Sequence, residues 1–214
     1  MLRDERDGDI MRRSTHIRRR QTDRSAETQQ LLIDAAIEVL CESGFHGATT
    51  TAIAARACVT TGALHHHFAT KDELLFGVLD YLSERIVLQF RAFGRERYGD
   101  AMDLEVLLER LWTIYGSSQY WAIWEIIIGS RDDERLHERL VQHRERTMEA
   151  LYQSWLRLNP KIPKLDDQMV EALELLLSCM RGLCLERFLK ADEKYFSRQL
   201  KHLATIIAPL LLRR

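Results

Sequence analysis

Gly47-Ala-Thr-Thr-Thr-Ala-Ile-Ala-Ala-Arg-Ala-Cys-Val-Thr-Thr-Gly-Ala-Leu-His-His-His-Phe68 is the stretch on which the fold turns. It reads as two short helices, Thr50–Ala57 and Thr61–His67, separated by the break Cys58-Val59-Thr60. The first buries Ile53 and Ala54. Small residues at Ala54, Ala55 and Ala63 let the two helices cross closely, and Val59 is the apolar plug of the turn. Two short helices joined by a tight turn and clamped by flanking helices form a helix-turn-helix pattern.

The flanking helices can be read on both sides. Upstream, Leu31, Leu32, Ala35, Ala36, Val39 and Leu40 keep the spacing of one buried helical stripe. Ser25 is the expected cap of that helix, with Glu27 in its first turn, and Gly44 stands where a glycine stop belongs. Downstream, Thr70 and Glu73 make a Thr-x-x-Glu capping box, and Leu74, Leu75, Val78, Leu79 and Leu82 give the next helix its apolar face.

Everything further on is helical too. Asp103–Tyr115 buries Leu104, Leu107, Leu108 and Leu111, and Tyr120–Ile128 is so apolar that it is expected to be enclosed on all sides. Long helices follow over Asp132–Leu158, Asp166–Leu189 and Glu193–Leu212, with a loop at Asn159-Pro160-Lys161-Ile162-Pro163. No strand alternation and no internal repeat is present. The fold class is therefore all-α.

Composition narrows the setting. Hydrophobic residues make up 46% of the 214 and charged ones 29%, the balance of a globular chain. No run approaches the roughly 18–20 apolar residues of a membrane span. Met1–Ile10 is acidic and lacks the apolar core of a secretory signal, so a cytoplasmic protein without membrane partners is expected. The four cysteines form no Cys-x-x-Cys pair; two lie in apolar helical runs and read as reduced core thiols. The net charge of −1 hides a gradient: Arg12 to Lys71 carries +3 and the chain from Asp72 onward −2. Residues 1–24 read as a flexible arm whose second half holds Arg12, Arg13, Arg18, Arg19, Arg20 and Arg24 against a single Asp23. Two readings stay open: a solvated tail, or an arm that follows phosphates or enters a minor groove.

The quoted segment, followed by Thr70-Lys71-Asp72-Glu73-Leu74, resembles the DNA-binding domain of the TetR/AcrR family of regulators. The likeness runs from about Ser25 to Leu82. It rests on Ser43-Gly44-Phe45, the paired threonines, the Gly-x-Leu-x-x-His-Phe helix and the lysine opening the fourth helix. The resemblance implies a homodimer through the last two helices, operator DNA as partner, and a small-molecule effector that relieves repression. It places Thr50 on a DNA phosphate and puts Thr60, Thr61, Gly62 and Ala63 at base edges. His65 and His66 reach backbone and bases, Lys71 grips a phosphate, and Phe68 belongs to the core. The domains expected are then the arm (1–24), a helix-turn-helix DNA-binding domain (25–70) and a helical effector-binding and dimerisation domain (71–214).

Three departures from the family pattern matter. Cys58 stands where glycine is usual, so a positive φ there would strain the turn by about 1–2 kcal/mol. Thr61 replaces a frequent lysine, and His65 a frequent tyrosine. With no arginine on this helix, bidentate guanine readout from it is not available, which strengthens the arm at Arg18, Arg19 and Arg20 as a source of affinity.

The sensing half is read from its aromatic residues. Trp112, Tyr115, Tyr120, Trp121 and Trp124 crowd a short span beside Glu125, as core packing or as the lining of an apolar pocket with a few polar groups. Met148, Met180 and Cys184 are softer candidates for the same lining. His65-His66-His67 does not suggest a metal, because successive helical side chains point about 100° apart. No cofactor and no catalytic residue is expected. An activator or effector-independent regulator is the alternative. An enzyme is a distant third, since the chain has no nucleophile elbow, glycine-rich phosphate loop or His-Glu-x-x-His signature.

Overall fold

The computed structural model describes the backbone of residues 4–95, 103–160, 162 and 164–212, and the side chains of these from Arg24 on, apart from Gly94 and Arg95. The described elements are all helical: α1 (Asp4–Gly47), α2 (Thr50–Arg56), α3 (Thr61–His67), α4 (Lys71–Arg95), α5 (Leu104–Tyr115), a 3-10 turn (Ser118–Tyr120), α6 (Trp121–Gly129), α7 (Glu134–Leu158), α8 (Asp167–Leu189) and α9 (Glu193–Leu211).

Capping explains most of the boundaries. Thr49 accepts from the Ala52 amide, Thr60 from Ala63, Asp103 from Val106, Asp133 from Leu136 and Asp166 from Met169, each from just outside its helix. Asp192 accepts from two amides, those of Lys194 and Tyr195. Each such cap stabilises by about 0.5–2 kcal/mol, which matters most for helices as short as α2 and α3. The Thr-x-x-Glu box is present one residue wider than the usual form. Thr70 Oγ1 accepts from the Glu73 amide at 3.2 Å, while the Glu73 carboxylate accepts from Ala69 at 2.9 Å.

Two expectations need correction. Ser25 does not open the first helix, because the backbone of α1 is already helical at Asp4. Arginine and glutamine are good helix formers, and 12–24 holds no glycine or proline, so no stop signal separates arm from helix. The run Tyr120–Ile128 is not enclosed on all sides either. It divides into the 3-10 turn and α6, which buries Ala122, Ile123 and Ile126 but leaves Ile127 40% and Ile128 49% exposed. One face of α6 lies along α1, and its apolar content alone did not say that the other face would be covered.

Ile53, Leu64 and Phe68 of the helix-turn-helix pack with Leu32, Ala36, Val39 and Leu40 of α1 and Leu74, Leu75 and Val78 of α4. The buried core continues without interruption into α5–α9, since α4 packs on α1 as well as on α5 and α7. α4 therefore links the two halves mechanically.

Candidate functional site

α3 presents Thr60, Thr61, Gly62, His65 and His66 to solvent, with Ala63 half-buried and Leu64 and Phe68 inside. Its boundaries match the sequence expectation, Thr61 to His67. Thr60 Oγ1 is engaged as the cap, accepting from Ala63 at 3.1 Å, so its hydroxyl is held close to the helix end. His65 Nδ1 lies 3.3 Å from the Ala69 carbonyl, which favours a proton on Nδ1 and leaves Nε2 for another partner. His66 and His67 meet edge to face at 5.4 Å, as neighbours on separate helical directions.

The turn before α3 holds the only positive-φ residue other than glycine among those described: Cys58, at φ 55. The thiol is exposed. Glycine is the usual occupant of such a position because a Cβ there crowds the carbonyl, so Cys58 carries the strain anticipated from the sequence. Val59 packs against the core as the plug, and its amide donates to the Ala54 carbonyl at 3.0 Å.

Around this unit the polar groups are paired. Arg56 of α2 bridges Glu38 and Glu42 of α1, and those carboxylates hold the guanidinium firmly charged. Thr50 is half-buried at the start of α2. Lys71, expected on a phosphate, donates from Nζ to the Phe45 carbonyl at 2.8 Å and lies 4.3 Å from the Phe45 ring centroid. Burial lowers its pKa, with Asp72 opposing the shift. Two ammonium donors remain for another acceptor. The side chains of Arg18, Arg19 and Arg20 lie outside the described residues.

In the C-terminal half, ring contacts divide four of the five aromatic candidates. Tyr115 and Tyr120 pair at 4.6 Å, both buried, and burial pushes the Tyr115 phenol up to about 12 and raises Tyr120 as well. Arg181 lies near both and opposes that rise. Trp112 stacks on Phe196 of α9 at 5.1 Å, and Trp121 meets Phe188 of α8 at 3.8 Å. Glu125, expected to orient a ligand, has both oxygens engaged, one by the Trp121 indole N–H and one by the Phe45 amide. Met148, Met180 and Cys184 are buried, and burial drives the Cys184 thiol up to about 11, with the nearby Trp124 indole opposing that rise.

Sequence reasoning missed three features. The indole nitrogens of Trp112, Trp124 and Trp155 are buried without an oxygen or nitrogen acceptor. An open groove of about 350 Å³ lies between α4 and α7, where His143 Nε2 sits 3.1 Å from Asp80. Phe45, just past the expected glycine stop at Gly44, is the meeting point of α1, α4 and α6. Gly44-Phe45 after a helical run was the available signal for the last; nothing local marked the others.

The comparisons agree with this geometry. Residues 32–78 match the family described as bacterial regulatory proteins, tetR family. The HTH-type transcriptional regulator TtgW of Pseudomonas putida is 35% identical over 128 residues, covering 58% of this chain and 92% of that protein. The HTH-type transcriptional regulator CymR of Pseudomonas putida is 28% identical over 181 residues, 85% of this chain and 89% of that one. Among solved structures, Salmonella enterica GusR has a TM-score of 0.66 at 20% identity, over 87% of this chain and 96% of its own, a likeness that speaks for the fold.

Proposed function

This chain belongs to the TetR family of bacterial regulatory proteins, DNA-binding regulators of transcription, and from that premise we propose that it is a cytoplasmic homodimeric repressor released from its operator by a small, mostly apolar effector. The observation that carries the effector reading is the buried indole N–H of Trp112, which has no acceptor. A buried donor left unpaired costs about 1–3 kcal/mol, and a ligand with an acceptor oxygen among apolar walls would satisfy it. The buried phenols of Tyr115 and Tyr120 would add polar anchors.

For DNA, the exposed Thr61, Gly62, His65 and His66 of α3 are the base-reading surface, with Thr60 and Ala63 at its edge. Thr50, Lys71 and the arm at Arg18, Arg19 and Arg20 would provide phosphate contacts. Two recognition helices must meet successive major grooves about 34–36 Å apart, which requires a dimer. On α8, the exposed Leu175, Ser178, Gly182, Leu185 and Leu189 follow the alternating three- and four-residue spacing of a helix–helix seam. Ile206 of α9 is 68% exposed. A second copy would cover these faces. An effector then acts by preferring the dimer whose recognition helices no longer fit the grooves, with a coupling of about 1–3 kcal/mol that runs both ways.

The test begins by recovering duplexes from a random-sequence library with the full-length protein. Binding to these should fall steeply with salt, with a slope of about 0.9 per phosphate contacted, and deleting Met1 to Arg20 should flatten it. Thr61→Ala and His65→Ala should weaken binding by about 1–3 kcal/mol with melting unchanged. Tryptophan fluorescence against a panel of apolar compounds, with and without the duplex, then tests the effector. A protein that retains no duplex, or whose duplex affinity ignores every compound that binds, overturns the DNA-binding or the effector reading respectively.

A further inference from the structure

The contact between the two halves converges on one carboxylate. Glu125 of α6 accepts from the Phe45 amide through Oε2 at 3.1 Å and from the Trp121 indole N–H through Oε1 at 2.8 Å. The first partner belongs to the corner between α1 and α2, and the second to the aromatic group of the sensing half. Trp121 in turn rests on Phe188 of α8, ring centroids 3.8 Å apart.

Phe45 is held on its other sides as well. Its carbonyl accepts from Lys71 Nζ, and Lys71 opens α4 just after α3. Its ring lies so close to Gly129 that a Cβ there would sit 2.1 Å from Phe45 Cγ. Gly44 turns the chain at φ +71, and a Cβ at that position would come within 3.2 Å of Glu125 Oε2. A side chain at Gly129 would force α6 away from Phe45, whereas one at Gly44 would press on the Glu125 carboxylate, so the corner has little slack. Close-packed junctions of this kind transmit displacement rather than absorb it.

We propose that Glu125 is the positioning residue that ties the state of Trp121 to the α1–α2 corner and so to the orientation of α3. The inference rests on the ligand-responsive reading above. A molecule that draws Trp121 away removes one of the two donors that orient the carboxylate. With one of its two restraints gone, the carboxylate is held through Oε2 alone and is free to rotate, which loosens its hold on the Phe45 amide. The corner and the Lys71 end of α4 are then free to shift together.

Two conservative variants of the full-length protein test this. Trp121→Phe keeps a ring against Phe188 but removes the indole N–H, and it alters no residue of α1–α4. Glu125→Gln keeps one acceptor oxygen, so only one of the two bonds can form. Amide hydrogen exchange is measured in both and in the parent protein, together with affinity for duplexes recovered by the parent from a random-sequence library. Amides of residues 45–49 and 61–67 are expected to exchange about tenfold faster in both variants, with those of α9 unchanged. Duplex affinity is expected to shift by a factor in the range of roughly 5–150-fold. Unchanged exchange in 61–67 for Trp121→Phe overturns the inference and leaves Glu125 a local strut. Equal acceleration throughout α5–α9 also overturns it, as a mere loss of stability. Should the parent retain no duplex, the regulator reading fails, while the exchange pattern still decides the role of Glu125.

Discussion

The helix-turn-helix half and the C-terminal half both cap their helices, but they differ in the polar groups they leave unmet. In the first, Thr49, Thr60 and Thr70 cap their helices, Arg56 binds two carboxylates, and Lys71 binds a carbonyl. In the second, three buried indole N–H groups have no oxygen or nitrogen acceptor, and leucine, phenylalanine and isoleucine side chains stand exposed on α8 and α9. Seven-residue helices cannot hold their shape by hydrogen bonding alone, so the reading unit needs every cap and a shared core. The C-terminal half has long helices and a large core, and can carry buried donors without oxygen or nitrogen acceptors.

The largest effect expected from breaking this contrast comes from the reading unit. Leu64→Ala, at a residue fully buried beneath α3, should destabilise the protein by about 2–5 kcal/mol in denaturant melts. A loss under about 1 kcal/mol would mean that α3 is held by something other than its core. Next comes the strained turn. Cys58→Gly should stabilise by about 1 kcal/mol, since glycine accepts the φ of 55 that cysteine resists. A fall in melting temperature would assign the thiol a packing role.

In the sensing half, Trp124→Phe removes an N–H with no oxygen or nitrogen acceptor while keeping an aromatic ring. Stability should stay within about 1 kcal/mol of the parent or rise slightly. A larger loss would mean that the bond between the indole and the Cys184 thiol holds this part of the core together. The smallest effect concerns His143. Burial lowers its pKa below the usual histidine value, with Arg146 adding to the shift and Asp80 opposing it. The folded state thus disfavours the proton that the unfolded chain accepts at about pH 6.5. Stability should be unaffected by this group above that pH and decline as pH falls towards its lower folded value. The pH dependence of the urea midpoint in His143→Gln should lack that component; an identical profile would leave His143 without a part in it.

Legibility differed between the halves for the same reason. α3 could be bounded to the residue because Thr60 caps it and Phe68 ends it, signals that lie within a few positions of each other. The strain at Cys58 followed from the resemblance, which places glycine at that position of the turn. By contrast, α6 was read as wholly enclosed from its apolar content, yet Ile127 and Ile128 face outward because only one side meets α1. Glu125 looked like a ligand anchor beside tryptophans, whereas its carboxylate reaches across 80 positions of sequence to Phe45. The aromatic run looked like one cluster and is shared among α5, α6, α8 and α9.

The sequence by itself determined the all-α class and the helix-turn-helix. These depend on periodicity, caps and turn chemistry, which act over a few residues and leave local marks. Tertiary structure alone decided that Phe45 joins three helices, that the Trp112 N–H is buried without an acceptor, and that His143 meets Asp80. Each of those depends on which helix faces arrive at one place. That is set by the packing of a shared core across distant segments, and no spacing within one helix records it.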